Sequence, residues 1–160
     1  YINGQIIQKP VRKHSTIQTE FASVVNASLK PQKAGRAFSE LRCTFGGQSI
    51  IPDVSVFAWA NIPRDDNGEI ANVFEIAPDW SVEILSPGQS QTLVTKNLLH
   101  CLNHGTQMGW LIDPFEQTVF ICLPEQQPQA FDQPEQSVPV PDFAQTLKLT
   151  IASVFGWLLE

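Results

Sequence analysis

Two carboxylates stand where a strand should bury hydrocarbon. Asp53 follows Pro52 at the head of the apolar run Val54-Ser55-Val56-Phe57-Ala58, and Glu83 interrupts Trp80-Ser81-Val82-Glu83-Ile84-Leu85. A buried, unpaired carboxylate is costly enough that it takes up a proton or finds a cation. Two of them on neighbouring strands read as two ligands of a divalent metal. Blander explanations compete: Asp53 beside Pro52 is also a good turn former, and Glu83 could pair with a basic side chain such as Arg42 or lie on a half-exposed face.

Other chemistry-bearing residues weigh less. His100 and His104 share one helical face at i and i+4, a spacing that can bind zinc. No CxxC accompanies them and no Glu adjoins the first, so helix-end histidines favoured by the dipole are the commoner explanation. Trp59, Trp80, Trp110 and Trp157 could stack on bases, but three lie in or beside apolar strands and one on the last helix, which favours core packing. His14 and Glu20 on the first helix read as solvated or cap-proximal.

The elements that must carry these residues follow from period and punctuation. Asn3-Gly4 reads as a hairpin turn whose first strand would precede Tyr1, with a short strand over Gln5–Gln8 ended by Pro10. Ile17, Phe21, Val24, Val25 and Leu29 predict a helix over 14–29, with Ser15 as its cap. Gly35–Phe45 and Ile50–Ala58, joined by Gly46-Gly47, predict one hairpin. Within its second strand Asp53, Ser55 and Phe57 share one face and Val54, Val56 and Ala58 the other. Pro52 belongs at an edge, a bulge or a strand start. The stretch 61–72 is an exposed loop with solvated acids. In the strand over 79–86, Glu83 shares its face with Ser81 and Leu85. A helix over 88–103 places Lys96 just outside its apolar arc, from which a long stem could bring the ammonium toward the strand ends. Met108–Ile112 and Thr118–Cys122 read as strands, Pro124–Pro141 as an irregular excursion, and Thr150 as the cap of a helix over 151–159.

The whole chain sets bounds. Its 160 residues and 42% hydrophobic content suit one domain with a real core. No apolar run approaches a membrane span and no leader pattern opens the chain, so a soluble, cytoplasmic protein is expected. Cys43, Cys101 and Cys122 are odd in number, widely spaced and flanked by apolar residues, which fits reduced core thiols. A net charge of −6 is the wrong sign for nucleic-acid binding driven by phosphate neutralisation alone. The basic residues nevertheless crowd the first quarter: Lys9, Arg12, Lys13, Lys30, Lys33, Arg36 and Arg42.

A helix, a hairpin ending in Pro-Asp, a strand with a central Glu and a helix carrying a Lys together resemble the PD-(D/E)xK nuclease superfamily. More specifically the chain resembles the Uma2 family of restriction-endonuclease-like proteins. The residues that carry the likeness are Pro52-Asp53-Val54-Ser55-Val56, Ser81-Val82-Glu83-Ile84-Leu85-Ser86-Pro87, Lys96 and Gly109-Trp110-Leu111-Ile112-Asp113-Pro114, with Asn3-Gly4-Gln5-Ile6 and His14-Ser15 upstream. The resemblance covers nearly the whole chain. It implies an α/β (α+β) restriction-endonuclease-like core over 1–160, a central mixed sheet flanked by helices, with an N-terminal β-hairpin.

The resemblance also implies a site. Asp53 and Glu83 would hold Mg²⁺ or Mn²⁺, with the Ile84 carbonyl as a third oxygen, and Lys96 would orient a water or stabilise charge on the phosphate. The superfamily's lysine position two residues after the acid is Leu85 here, and the Uma2 pattern moves the lysine to the next helix. Mg²⁺ suits such a donor set, since it takes oxygen ligands at about 2.0–2.1 Å and commonly keeps waters beside one or two carboxylates. Glu40 and Glu20 are outer candidates. The implied function is a metal-dependent endonuclease acting on DNA, most simply as a homodimer. The alternatives are a non-catalytic nuclease-fold module binding nucleic acid or a protein, and a hydrolase of some other phosphate.

Overall fold

The computed structural model describes residues 11–160, so the expected Asn3-Gly4 hairpin and the strand over 5–8 lie outside the described residues. The chain forms an α+β fold. Helix α1 (Val11–Leu29) opens it, earlier than the sequence predicts, so Ser15 lies inside the helix rather than capping it. Ile17, Phe21, Val25 and Leu29 recur every four residues and are fully buried, making the stripe that docks α1 on the sheet.

Among the described residues six strands form that sheet, in the order β1-β4-β5-β6-β7-β8. They are β1 (Gly35–Ser39), β4 (Val54–Ala58), β5 (Trp80–Ile84), β6 (Met108–Asp113), β7 (Thr118–Cys122) and β8 (Gln129–Phe131). The expected single hairpin over 35–58 is instead two nested pairings. β1 pairs with β4, and between them β2 (Cys43–Phe45) and β3 (Gln48–Ile50) form a separate two-stranded hairpin. The reason is local: Glu40 adopts φ +53 and ends the extended run, while Gly46 and Gly47, at φ +58 and +76, close a two-residue turn of the twist that hairpins favour.

Strands β5 and β6 pair in parallel, joined by α2 (Gln91–Leu102), whose first turn is capped by Ser90 Oγ accepting from the Leu93 N–H at 3.2 Å. The 124–141 excursion is not wholly irregular, because β8 within it pairs with β7 as an edge strand. Thr150 caps α3 (Ile151–Gly156) as expected, in a reciprocal capping box with Ser153.

The sheet separates two cores. On one face Val54, Val56, Trp80, Val82, Ile84, Trp110 and Ile112 meet the stripe of α1 and the C-terminal Val154, Phe155 and Trp157. On the other, Phe57, Cys43, Phe45, Ile50, Phe74 and Cys101 gather beneath α2 and the β2–β3 hairpin. Trp80, Trp110 and Trp157 are thus core residues, as their settings predict. Among the described residues no helix is long and apolar enough to cross a membrane.

Candidate active site

The β4–β5 register builds the site. Val54 pairs with Val82 in an antiparallel ladder, so one residue beyond the last pair Asp53 stands opposite Glu83. By strand alternation Glu83 leaves the sheet on the face of Ser81, opposite Val82 and Ile84, while Asp53, just before β4, lies at the sheet's end within reach of α1. The two residues clasp each other: the Asp53 N–H donates to Glu83 Oε1 at 2.9 Å, and the Ile84 N–H donates to Asp53 Oδ2 at 2.7 Å. In a strand the N–H and C=O of one residue point to the same side, so the Ile84 carbonyl is turned toward Asp53 as well. The two carboxyls therefore meet where β4 begins and β5 ends, at the carboxyl ends of the parallel pair β5 and β6.

Like charges placed directly opposite on a sheet destabilise it, and here the effect is concentrated on Glu83. Burial, then the negative charge of Asp53, pushes its carboxyl up to about 8, with a smaller contribution from Glu40. At neutral pH Glu83 therefore holds a proton unless another cation takes its place. The pair is thus two facing, largely buried carboxyls, of which Glu83 is held in its neutral form.

Helix α1 closes the other side. His14 Nε2 lies 3.0 Å from Asp53 Oδ1, with the two side chains 16% and 13% exposed. The hydrogen bond to Asp53 raises the imidazole pKa, against the opposing effect of its burial. One turn on, Gln18 Nε2 donates to the Asp53 carbonyl at 2.8 Å and to Glu40 Oε2 at 3.0 Å, and the Glu40 N–H reaches the same carbonyl at 3.2 Å. Glu40 thus borders the site. No hydrogen bond or ion pair links Glu20 to it among the described residues.

Lys96 is placed differently. Val94, Leu98 and Cys101 form the buried face of α2, and at about 100° per residue Lys96 falls on the opposite side, where it is exposed. Among the described residues it has no ion pair with either acid, and neither has Arg42; the one ion pair is His14–Asp53. His14 is the residue that sequence reasoning missed. Its signal was present: it lies on the apolar stripe of Ile17, Phe21 and Val25, one turn earlier, and so faces protein rather than solvent.

The rival zinc pair is otherwise engaged. A nitrogen of His100 bonds the Phe45 carbonyl at 2.9 Å and one of His104 bonds the His100 carbonyl at 2.8 Å, while the His100 ring stacks on Phe45. Among the described residues no three His, Cys, Asp or Glu side chains form a ready metal cluster. Cys43 and Cys101 are free, fully buried thiols whose pKa burial pushes up to about 11, as expected of inert core cysteines.

A mixed sheet with helices on both faces is the architecture of the restriction-endonuclease-like fold class. Comparison narrows this. Residues 1–152 match the family described as "Uma2: Putative restriction endonuclease", and the chain belongs to that family. Among solved structures it is similar to "a putative nuclease belonging to DUF820" from Anabaena variabilis, with 64% identity and a TM-score of 0.90 over 99% of this chain and 89% of that one. No curated protein matches the chain.

Proposed function

We propose that the protein is a divalent-metal-dependent endonuclease that hydrolyses phosphodiester bonds in DNA, with Asp53 and Glu83 as metal ligands. The observation that carries this reading is the facing acid pair, in which Glu83 is buried and pushed up to about 8 by its surroundings. Nothing in the fold's own stability calls for such a pair, and local rules broken without structural gain mark functional sites. Family membership and the likeness to a nuclease structure support the same conclusion.

Asp53, Glu83 and the Ile84 carbonyl would hold Mg²⁺ or Mn²⁺ with waters completing the shell. When bound, the ion supplies Lewis acidity toward the scissile phosphate and an activated water. Within the chain, Glu83 must give up its proton before it can serve as a ligand. The β4 and β5 backbones hold both carboxyls through the Asp53 and Ile84 N–H groups, so their positions are set before substrate arrives. Lys96, free on the outer side of α2, would act on substrate phosphate rather than on the acids.

Incubation of supercoiled plasmid with the protein and Mg²⁺ or Mn²⁺ tests the reading. We expect nicking or linearisation that disappears in Asp53→Ala and Glu83→Gln. Cleavage at wild-type rates by either variant would remove the site assignment. Cleavage undiminished by a chelator would remove the metal dependence.

A further inference from the structure

The basic group that touches the acid pair is His14, on α1, rather than a lysine on β5 or α2. We propose that His14 is a positioning residue of the metal site, holding the Asp53 carboxylate so that Asp53 and Glu83 present oxygens to one divalent cation. The proposal rests on the metal-site reading above and adds to it the residue that orients a ligand.

The geometry constrains Asp53 from two sides. Its Oδ2 accepts from the Ile84 N–H at 2.7 Å, which by itself leaves the carboxyl free to swing about that bond. His14 Nε2, 3.0 Å from Oδ1, fixes the second oxygen and hence the plane of the group. Each oxygen keeps a lone pair available to a cation. Partners of this kind that orient a metal ligand are worth about 10–100-fold in metal affinity.

The support for His14 is itself rigid. Ile17 and Phe21, beside it on α1, are fully buried against the sheet, so the helix cannot turn without opening the core. Gln18, one turn on from His14, binds the Asp53 carbonyl, so α1 holds both the main chain and the side chain of residue 53. Glu40 joins the same carbonyl from a left-handed backbone at φ +53, a conformation that a non-glycine residue keeps only where its surroundings impose it.

The experiment is Mn²⁺ binding to the full chain, followed by electron paramagnetic resonance at pH 8.0, with thermal melts of every variant. We expect His14→Ala to weaken Mn²⁺ binding about 10–100-fold. His14→Gln, whose amide nitrogen can take the place of Nε2, should restore most of that loss. A purely structural role would move the melting temperature without this pattern of rescue. Should His14→Ala fail to fold, His14→Asn takes its place: its amide is too short to reach Asp53, so it should bind Mn²⁺ more weakly than His14→Gln, and equal affinities would overturn the proposal. Wild-type affinity in His14→Ala, with binding lost in Asp53→Ala, would also overturn it and leave the metal-site reading standing. No binding by the wild type would remove both.

Discussion

Asp79 and Glu83 are both buried acids at opposite ends of one strand, and their partners separate their roles. The Asp79 carboxylate accepts from the Ala58 N–H at 2.8 Å and from Asn61 Nδ2 at 3.0 and 3.1 Å, so it is a satisfied structural group pinning the end of β4. Removing it strands those donors, and Asp79→Ala should cost about 1–3 kcal/mol in a urea melt, with Asp79→Asn costing less. Glu83 receives one N–H, from Asp53, and is the group pushed up to about 8. Its folded pKa lies above the unfolded carboxyl value, so the folded state holds more protons between about pH 4.5 and 8. Stability of the metal-free protein therefore falls as pH rises through that window and levels off above it, by an amount on the order of a few kcal/mol. His14, also raised, adds a loss of the same sign as pH climbs through its own folded value. Melts from pH 5 to 9 should show the decline, and Glu83→Gln should flatten most of it and exceed wild type in stability at pH 8. A slope unchanged in Glu83→Gln would mean that Glu83 is ionised in the apo protein.

At the scale of elements, what could be read from the sequence was whatever buries a periodic face. Helix α1 shows its stripe at Ile17, Phe21, Val25 and Leu29, β5 its alternation around Glu83, and α3 its Thr150 cap. The split of the expected hairpin into β1–β4 and β2–β3 was hidden, because it depends on the left-handed turn at Glu40, a residue with no strong preference for that conformation. The strand β8 was hidden for another reason: Gln129, Ala130 and Phe131 carry no buried alternation and are extended only because β7 offers an open edge. The acid pair was legible because a carboxylate within an apolar strand stands out on composition alone. For His14 the sequence showed only that it faces protein, and for Gln18 nothing, since their contacts with Asp53 depend on how α1 lies across the sheet. The β2–β3 turn gives a direct check on element geometry. Gly47→Ala meets open space but must hold φ +76, and should cost about 1 kcal/mol. Gly46→Ala adds a clash with the His104 ring to its own positive φ, so it should lower the melting temperature further. Equal effects would argue against the packing of His104 on that turn.

For the whole molecule the question is how an acidic protein meets a polyanion. Seven basic and two acidic residues lie in the first 42, against three basic and fourteen acidic thereafter. The site's own acids belong to the negative part, with His14 brought against Asp53 by α1 and the Lys13 ammonium over the Phe115 ring. Duplex DNA should therefore bind weakly without divalent ions and more tightly with non-catalytic Ca²⁺. The gain seen by fluorescence anisotropy should vanish in Glu83→Gln and shrink with added salt. A Ca²⁺ effect that survives Glu83→Gln would place the bridging ion elsewhere. The central claim is that Asp53 and Glu83 share one cation. Anomalous diffraction from crystals soaked in Mn²⁺ tests it most directly. One peak is expected at about 2.0–2.3 Å from an oxygen of each carboxylate, with the Ile84 carbonyl in reach. Saturating Mn²⁺ with no peak between the two acids would contradict it.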